Sequence, residues 1–197
     1  MSNLELLHYV DHTLLKPTAT YEDIQKIAKD ALRYETASVC ISPSFIARLR
    51  KDYPSLNICT VIGFPLGYST TATKVFETKD AIANGADEID MVINLGDLKD
   101  ENYTAILSEI QAIKEACGDK ILKVIIETCY LTKEEKIRMC QIVTESGAEY
   151  IKTSTGFGTD GATREDILLF KEHIGDDVKI KAAGGIKNLD DLQFFIG

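Results

Sequence analysis

The sequence predicts an α/β protein built on a parallel β-sheet. Short β-branched apolar runs recur along the whole chain, capped amphipathic segments separate them, and one junction between the two recurs almost unchanged. The runs occupy residues 38–41, 58–62, 88–93, 121–126, 150–153 and 179–182. Each is a short run bounded by turn residues, the pattern of a strand buried on both faces. An earlier strand candidate lies at His8-Tyr9-Val10-Asp11, which brings the count to seven. From the third run onward the starts lie about thirty residues apart, the length of one βα unit.

The intervening segments read as helices. Thr132 with Glu135 has the spacing of a capping box, Ile137, Cys140 and Val143 follow on one face, and Gly147 stands where the helix stops. Residues 163–175 repeat the plan, with Thr163 as cap, Asp166 in the first turn and Ile167, Leu168 and Phe170 as apolar surface. Thr20 opens another helix and Asn188 a last one; residues 69–85 and 101–118 are helical in composition. The repeated junction is Gly85-Ala86-Asp87-Glu88-Ile89-Asp90 against Gly147-Ala148-Glu149-Tyr150-Ile151-Lys152. Two units therefore enter their strands alike, and Asp90 and Lys152 fill equivalent slots. This periodicity fits a (β/α) barrel or a doubly wound sheet and does not choose between them, since a complete barrel has eight strands.

Composition narrows the function. A length of 197 residues predicts one domain over 1–197. Twenty-two basic against 31 acidic residues give a net charge of −9, which disfavours nucleic acid and anionic membranes as partners. No run approaches a membrane span and the N-terminus has no basic start before an apolar stretch, so the expected location is cytoplasmic. Cys40, Cys59, Cys117, Cys129 and Cys140 are odd in number and lack C-x-x-C spacing, and His8, His12 and His173 are scattered. Neither a disulfide framework nor a metal centre is expected; the thiols read as small, reduced core residues.

The informative anomaly is charge inside apolar strands. Asp90, Lys123, Lys152 and Lys181 each lie within an apolar run. One such lysine reads equally well as a strand-end residue whose ammonium reaches water. Four charges in consecutive units point instead to a shared interior cluster, because an unpaired buried charge costs several kcal/mol. Alternation places Asp90 with Val92 and Asn94, Lys123 with Ile125 and Glu127, and Lys152 with Ser154. Burial and a second ammonium lower a lysine's pKa, and such an amine attacks a carbonyl to form a Schiff base. A nearby aspartate relays the protons, and no metal or cofactor is required. Glycine loops follow two of the lysine strands, at Thr153-Ser154-Thr155-Gly156-Phe157-Gly158 and Ala182-Ala183-Gly184-Gly185-Ile186, where backbone N–H groups can meet an anion. Gly63-Phe64-Pro65-Leu66-Gly67 is a third loop, read as shaping only.

Together these stretches, with Asp11-His12-Thr13-Leu14-Leu15-Lys16-Pro17, Val39-Cys40-Ile41 and Leu122-Lys123-Val124-Ile125-Ile126-Glu127-Thr128, resemble the deoxyribose-phosphate aldolase family of class I, Schiff-base-forming aldolases. The resemblance runs the length of the chain, and Ile-Lys-Thr-Ser-Thr-Gly with Lys-x-Ala-Gly-Gly is its most specific part. It implies a TIM barrel that reversibly cleaves 2-deoxy-D-ribose 5-phosphate to D-glyceraldehyde 3-phosphate and acetaldehyde, without a cofactor. By motif, Lys152 resembles the Schiff-base lysine, Lys181 the second lysine that depresses its pKa, and Asp90 the proton-relaying carboxylate. Asp11, Lys123 and Cys40 match positions around the substrate pocket, with packing the expected role for Cys40, and Gly156, Gly184 and Gly185 match phosphate contacts. The implied partners are small phosphorylated sugars and aldehydes, in a homodimer, with a role in deoxyribonucleotide and carbohydrate catabolism.

Family members continue past this C-terminus with an eighth strand, a Gly/Ser-rich phosphate loop and a helix. The expectation is therefore a barrel lacking its eighth strand and helix, with two open edges and weakened hold on the phosphate. A fragment, a strand supplied by another subunit and a refolded edge all fit that expectation. The competing functions are another Schiff-base aldolase of a phosphorylated sugar and a catalytically impaired barrel acting as an interaction remnant.

Overall fold

The computed structural model describes residues 2–196. Its strands are β1 (Asp11–Leu14), β2 (Ser38–Ile41), β3 (Ile58–Ile62), β4 (Glu88–Val92), β5 (Ile121–Ile125), β6 (Tyr150–Lys152) and β7 (Lys179–Lys181). The helices are α1 (Asn3–Leu7), α2 (Tyr21–Tyr34), α3 (Ile46–Asp52), α4 (Thr71–Ala83), α5 (Leu95–Lys99), α6 (Tyr103–Cys117), α7 (Lys133–Ser146), α8 (Arg164–His173) and α9 (Leu189–Ile196). All seven strands pair in parallel in sequence order, β1 to β7. This is the parallel half-barrel of a TIM-barrel-like α/β fold, with seven strands among the described residues. Barrel-type order, each strand beside its predecessor, decides against the doubly wound alternative.

The two faces of the sheet differ in kind. Val39, Ile41, Ile58, Ile62, Ile89, Met91, Leu122, Val124 and Ile151 point outward and pack with the helices into one large core. Fully burying such side chains stabilises the fold by roughly 1.5–3 kcal/mol each. Cys40, Cys59 and Val61 form a separate small cluster on the inner face. The odd–even alternation therefore sends aliphatic groups outward and charged groups inward.

Helix starts follow the sequence signals. Thr20, Thr70, Thr132 and Thr163 are extended N-cap residues whose hydroxyls accept from the N–H three residues on, at 3.1–3.4 Å. Each such cap is worth about 1 kcal/mol. The repeated junction has a physical cause. Gly85 and Gly147 take positive φ after α4 and α7, and the acid two residues later caps the preceding strand: Asp87 accepts from Ile58 N at 3.0 Å and Glu149 from Leu122 N at 2.8 Å. Arg50 and Lys114 then pair with those two acids.

Some boundaries move. The first strand is Asp11–Leu14, not the stretch from His8, because His8 is the C-cap of α1. Leu168, expected on the buried face of α8, is exposed, and Phe170 and Ile167 carry the packing. Strands β1 and β7 are only partly buried, as sheet ends, so the expectation of doubly buried strands holds for β2–β6. Across the opening between these ends, α1 packs against α9.

Candidate active site

Register assembles the site. On the inner face Asp90 of β4 stands beside Lys123 of β5, and Lys152 of β6 beside Lys181 of β7. Asp90, Lys123 and Lys152 are 0%, 2% and 8% exposed, which rules out the strand-end reading for these three. Lys152 Nζ donates to Asp90 Oδ2 at 2.5 Å, and Lys123 Nζ donates to Asp90 Oδ1 at 2.9 Å. One carboxylate thus holds two buried ammonium groups, one on each oxygen.

A second set of pairs completes the balance. Lys123 Nζ also lies 2.5 Å from Glu88 Oε2 and 3.6 Å from Asp11 Oδ2. Lys181 Nζ lies 2.7 Å from Asp11 Oδ2, an ion pair by distance rather than an aligned hydrogen bond, and donates to Tyr9 O at 3.2 Å. Ser38 Oγ donates to Asp11 Oδ1 at 2.9 Å, and Asn57 Nδ2 donates to Glu88 Oε1 at 2.6 Å. Asp11, Glu88 and Asp90 thereby offset Lys123, Lys152 and Lys181. Buried charges persist only in such compensated networks.

The electrostatics reverse one expectation. Burial alone pulls the Lys152 amine below its ordinary value, but the Asp90 carboxylate in contact outweighs it and holds the amine above that value. Lys181 does not act as a bare neighbouring charge, because Asp11 pairs with it. The Asp90 contact favours the ammonium form of Lys152, and that proton must leave before the amine can attack a carbonyl. Burial likewise pushes the Asp90 carboxyl up, yet Lys123 and Lys152 together drive it well below the usual carboxylate range. Lys123 is held high against its own burial by Asp90.

The glycine loops separate into two kinds. Gly184 has φ +81°, and a Cβ there would meet Gly161 Cα at 2.9 Å and Ser154 Cβ at 3.3 Å. Its requirement is close backbone packing between two loops. Gly156 and Gly185 have φ +83° and +81°, and a Cβ on either would meet nothing within 4 Å. These two backbones border open space. Beside them the Ser154 hydroxyl is buried and has no protein partner. The loop before α4 is shaped as expected: at Gly67, φ +74°, a Cβ would lie 1.9 Å from Ile93 O.

Glu88 and Cys59 carry no functional signal in the sequence, yet both touch the network; Lys123 Nζ lies 2.5 Å from Glu88 Oε2 and reaches Cys59 Sγ at 3.3 Å. Glu127, left-handed at φ 51° and buried, accepts from Thr155 N at 3.1 Å and from Thr155 Oγ1, which ties the end of β5 to the Gly156 loop. Cys40 lies fully buried on the inner face.

A buried lysine paired with a carboxylate on the inner face of a parallel β/α barrel, with glycine loops after its strands, holds the groups of an enzyme that works on carbonyl compounds. The comparisons with known proteins agree: the model of the DeoC/LacD family of aldolases matches residues 6–194, and the chain belongs to that family. It is 62% identical over 197 residues, all of this chain and 89% of the relative, to a deoxyribose-phosphate aldolase of Clostridium botulinum (strain Alaska E43 / Type E3). A protein of the same description from Clostridioides difficile (strain 630) is 60% identical over 192 residues, 97% of this chain and 88% of the relative. Among solved structures, the tetrameric deoxyribose phosphate aldolase from Aeropyrum pernix superposes with a TM-score of 0.92 at 26% identity, covering 99% of this chain and 84% of that one. Among the described residues, no helix is long and apolar enough to cross a membrane.

Proposed function

We propose that the protein cleaves 2-deoxy-D-ribose 5-phosphate reversibly to D-glyceraldehyde 3-phosphate and acetaldehyde, through a Schiff base on Lys152. The observation that carries this reading is Asp90 Oδ2 at 2.5 Å from Lys152 Nζ, with Lys123 fixing the other oxygen. Asp90 is positioned to take the proton that Lys152 must lose, and to return it when the carbinolamine expels water. In the iminium so formed, the electron pair of the C2–C3 bond becomes the C1=C2 double bond of an enamine while the C=N pair moves onto the nitrogen. The C3 hydroxyl proton leaves, and C3 becomes the aldehyde of glyceraldehyde 3-phosphate. Protonation of the enamine at C2 and addition of water then release acetaldehyde and the lysine. Asp90 is the carboxylate in reach for these transfers, and Lys123 keeps it oriented.

For the phosphate, Gly156 and Gly185 supply backbone bordering open space, and Ser154 supplies an unpartnered hydroxyl. Lys181, held by Asp11, is a polar positioning group at the end of β7. A homodimer and a cytoplasmic location complete the reading, and light scattering of the purified protein tests the first. The decisive experiment is incubation with acetaldehyde, reduction with borohydride and peptide mapping by mass spectrometry. The reading requires a two-carbon adduct on Lys152, absent in Lys152→Leu, together with cleavage of 2-deoxyribose 5-phosphate. A folded protein that traps no adduct refutes it.

A further inference from the structure

Two thiols stand beside the carboxylate that organises the site. Cys40 and Cys59 are register partners on β2 and β3, and both are fully buried. One ligand atom from each of Cys40, Cys59 and Asp90 falls within 4.8 Å of the others. Cys59 Sγ donates to Asp90 Oδ1 at 3.2 Å. Zinc–sulfur and zinc–oxygen bonds of about 2.3 and 2.0–2.2 Å place tetrahedral ligand atoms roughly 3.5–3.8 Å apart, so the three groups close on one ion with a movement of about 1 Å at most.

We infer that Cys40, Cys59 and Asp90 form a binding site for one thiophilic divalent cation, Zn²⁺ or Cd²⁺, on the inner face of the barrel. Charge makes the site feasible next to two lysines. Two neutral thiols and a carboxylate carry one negative charge; two thiolates, a carboxylate and a dication carry the same. The compensation of Lys123 and Lys152 is thus preserved when the ion enters and both thiol protons leave. Lys123 gives up Asp90 Oδ1 and Cys59 Sγ, now 2.9 and 3.3 Å away, but keeps Glu88 at 2.5 Å and Asp11 at 3.6 Å. The fourth tetrahedral position is left for water. Thiolates and thiol-rich sites favour soft ions, so Mg²⁺ and Ca²⁺ do not compete.

The step balances as cation plus two thiols giving a dithiolate complex plus two protons. Affinity therefore rises about 100-fold per pH unit while both thiols start protonated. Binding itself is independent of the proposed reaction. Its consequence, reversible arrest because the metal occupies Asp90, rests on that reading.

The test is a Cd²⁺ titration of the purified full chain, following the ultraviolet thiolate-to-cadmium charge-transfer band and proton release in weak buffer. The expected result is one ion per chain, two protons released, and the band lost in both Cys59→Ala and Cys40→Ser. It persists in Cys129→Ala, which removes the half-buried thiol outside the cluster. Circular dichroism on each variant shows that loss of the band is not loss of fold, and Cys40→Ser and Cys59→Ala provide independent removals. An unchanged band in Cys59→Ala, a band lost in Cys129→Ala, or no band in the wild type overturns the inference. Cd²⁺ binding as expected in a protein that traps no acetaldehyde overturns the proposed function and leaves the metal site standing.

Discussion

Replacing Asp90 by Asn tests the central electrostatic claim, that this carboxylate governs the proton on Lys152. The substitution keeps size and removes the charge 2.5 Å from Lys152 Nζ. At an effective dielectric near 20, a unit-charge pair at that distance interacts by ~7 kcal/mol, a ceiling of about 5 pKa units at ~1.36 kcal/mol each. A neighbouring opposite charge moves a group by about 1–3 units in practice, because other dipoles and water respond. Burial, which lowers the amine, remains in the variant. Lys152 therefore titrates at least about 1–3 units lower in Asp90→Asn. The assay is the initial rate of borohydride-trapped acetaldehyde adduct on Lys152 as a function of pH. The midpoint moves down in the variant, while the plateau rate of adduct formation and the cleavage of the full substrate both fall because the proton carrier for carbinolamine dehydration is gone. The variant also leaves two ammonium groups around a neutral amide, which costs about 3–5 kcal/mol and lowers Tm by about 6–20 °C, so the comparison is made well below Tm. A midpoint unchanged or moved upward refutes the reasoning.

Three further outcomes follow from the same geometry. Asp90 and Asp11 both have folded carboxyls below their ordinary values, so their stabilisation is present above about pH 3.9 and is lost as pH falls through the folded values. Lys123→Met, which removes a cation common to both, accordingly destabilises more at pH 7 than at about pH 2 in urea unfolding; an equal loss at both would contradict the pairing. Lys74 is fully buried in α4, with Nζ 2.6 Å from Glu109 Oε1 and donating to Val92 O at 2.8 Å. Lys74→Met leaves Glu109 unpaired and costs about 3–5 kcal/mol by thermal unfolding, with adduct formation on Lys152 retained below Tm. Gly67→Ala, which drives a Cβ to 1.9 Å from Ile93 O, lowers Tm far more than Gly156→Ala, which meets nothing within 4 Å; Gly156→Ala shows its effect as a raised KM for the phosphorylated substrate.

The parts of this molecule legible in the sequence are those whose signal is local. A lysine or aspartate inside a β-branched run is anomalous within five residues, so Asp90, Lys123 and Lys152 declare themselves without any partner in view. The threonine caps and the Gly-Ala-acid junction are local too, and the structure places each where its chemistry acts. What escapes is whatever depends on register. Glu88 looks like one more polar strand residue until β4 lies beside β5 and brings Lys123 within 2.5 Å. Cys40 and Cys59, nineteen residues apart, share no motif and meet only because β2 and β3 pair at those positions. Lys74 carries no local signal within its helix, and only the packing of α4 against α6 buries it on Glu109. The bounds of the first strand shift for another reason: at a sheet end, one side lacks a covering neighbour and the apolar pattern thins.

The same register argument explains why Lys152 and Lys181 carry different work although they stand side by side. Both end their strands, yet Lys152 faces Asp90, buried and shared with Lys123, whereas Lys181 faces Asp11, which is also fixed by Ser38. A proton handed from Lys152 to Asp90 stays inside the network: Lys123, freed from one contact, is still held by Glu88. Transfer from Lys181 to Asp11 also leaves a neutral pair, with Lys123 still held by Asp90 and Glu88, but Lys181 lies on the partly buried end strand, away from the carboxylate shared by two lysines. Glu88 is thus the group that lets Asp90 change its protonation without stranding a buried cation. Glu88→Gln should then slow cleavage through kcat rather than KM, and narrow its pH range, while Asn57, its other partner, keeps the amide hydrogen-bonded and the fold intact. An effect confined to KM, with the pH profile unmoved, would place Glu88 outside the proton-handling network.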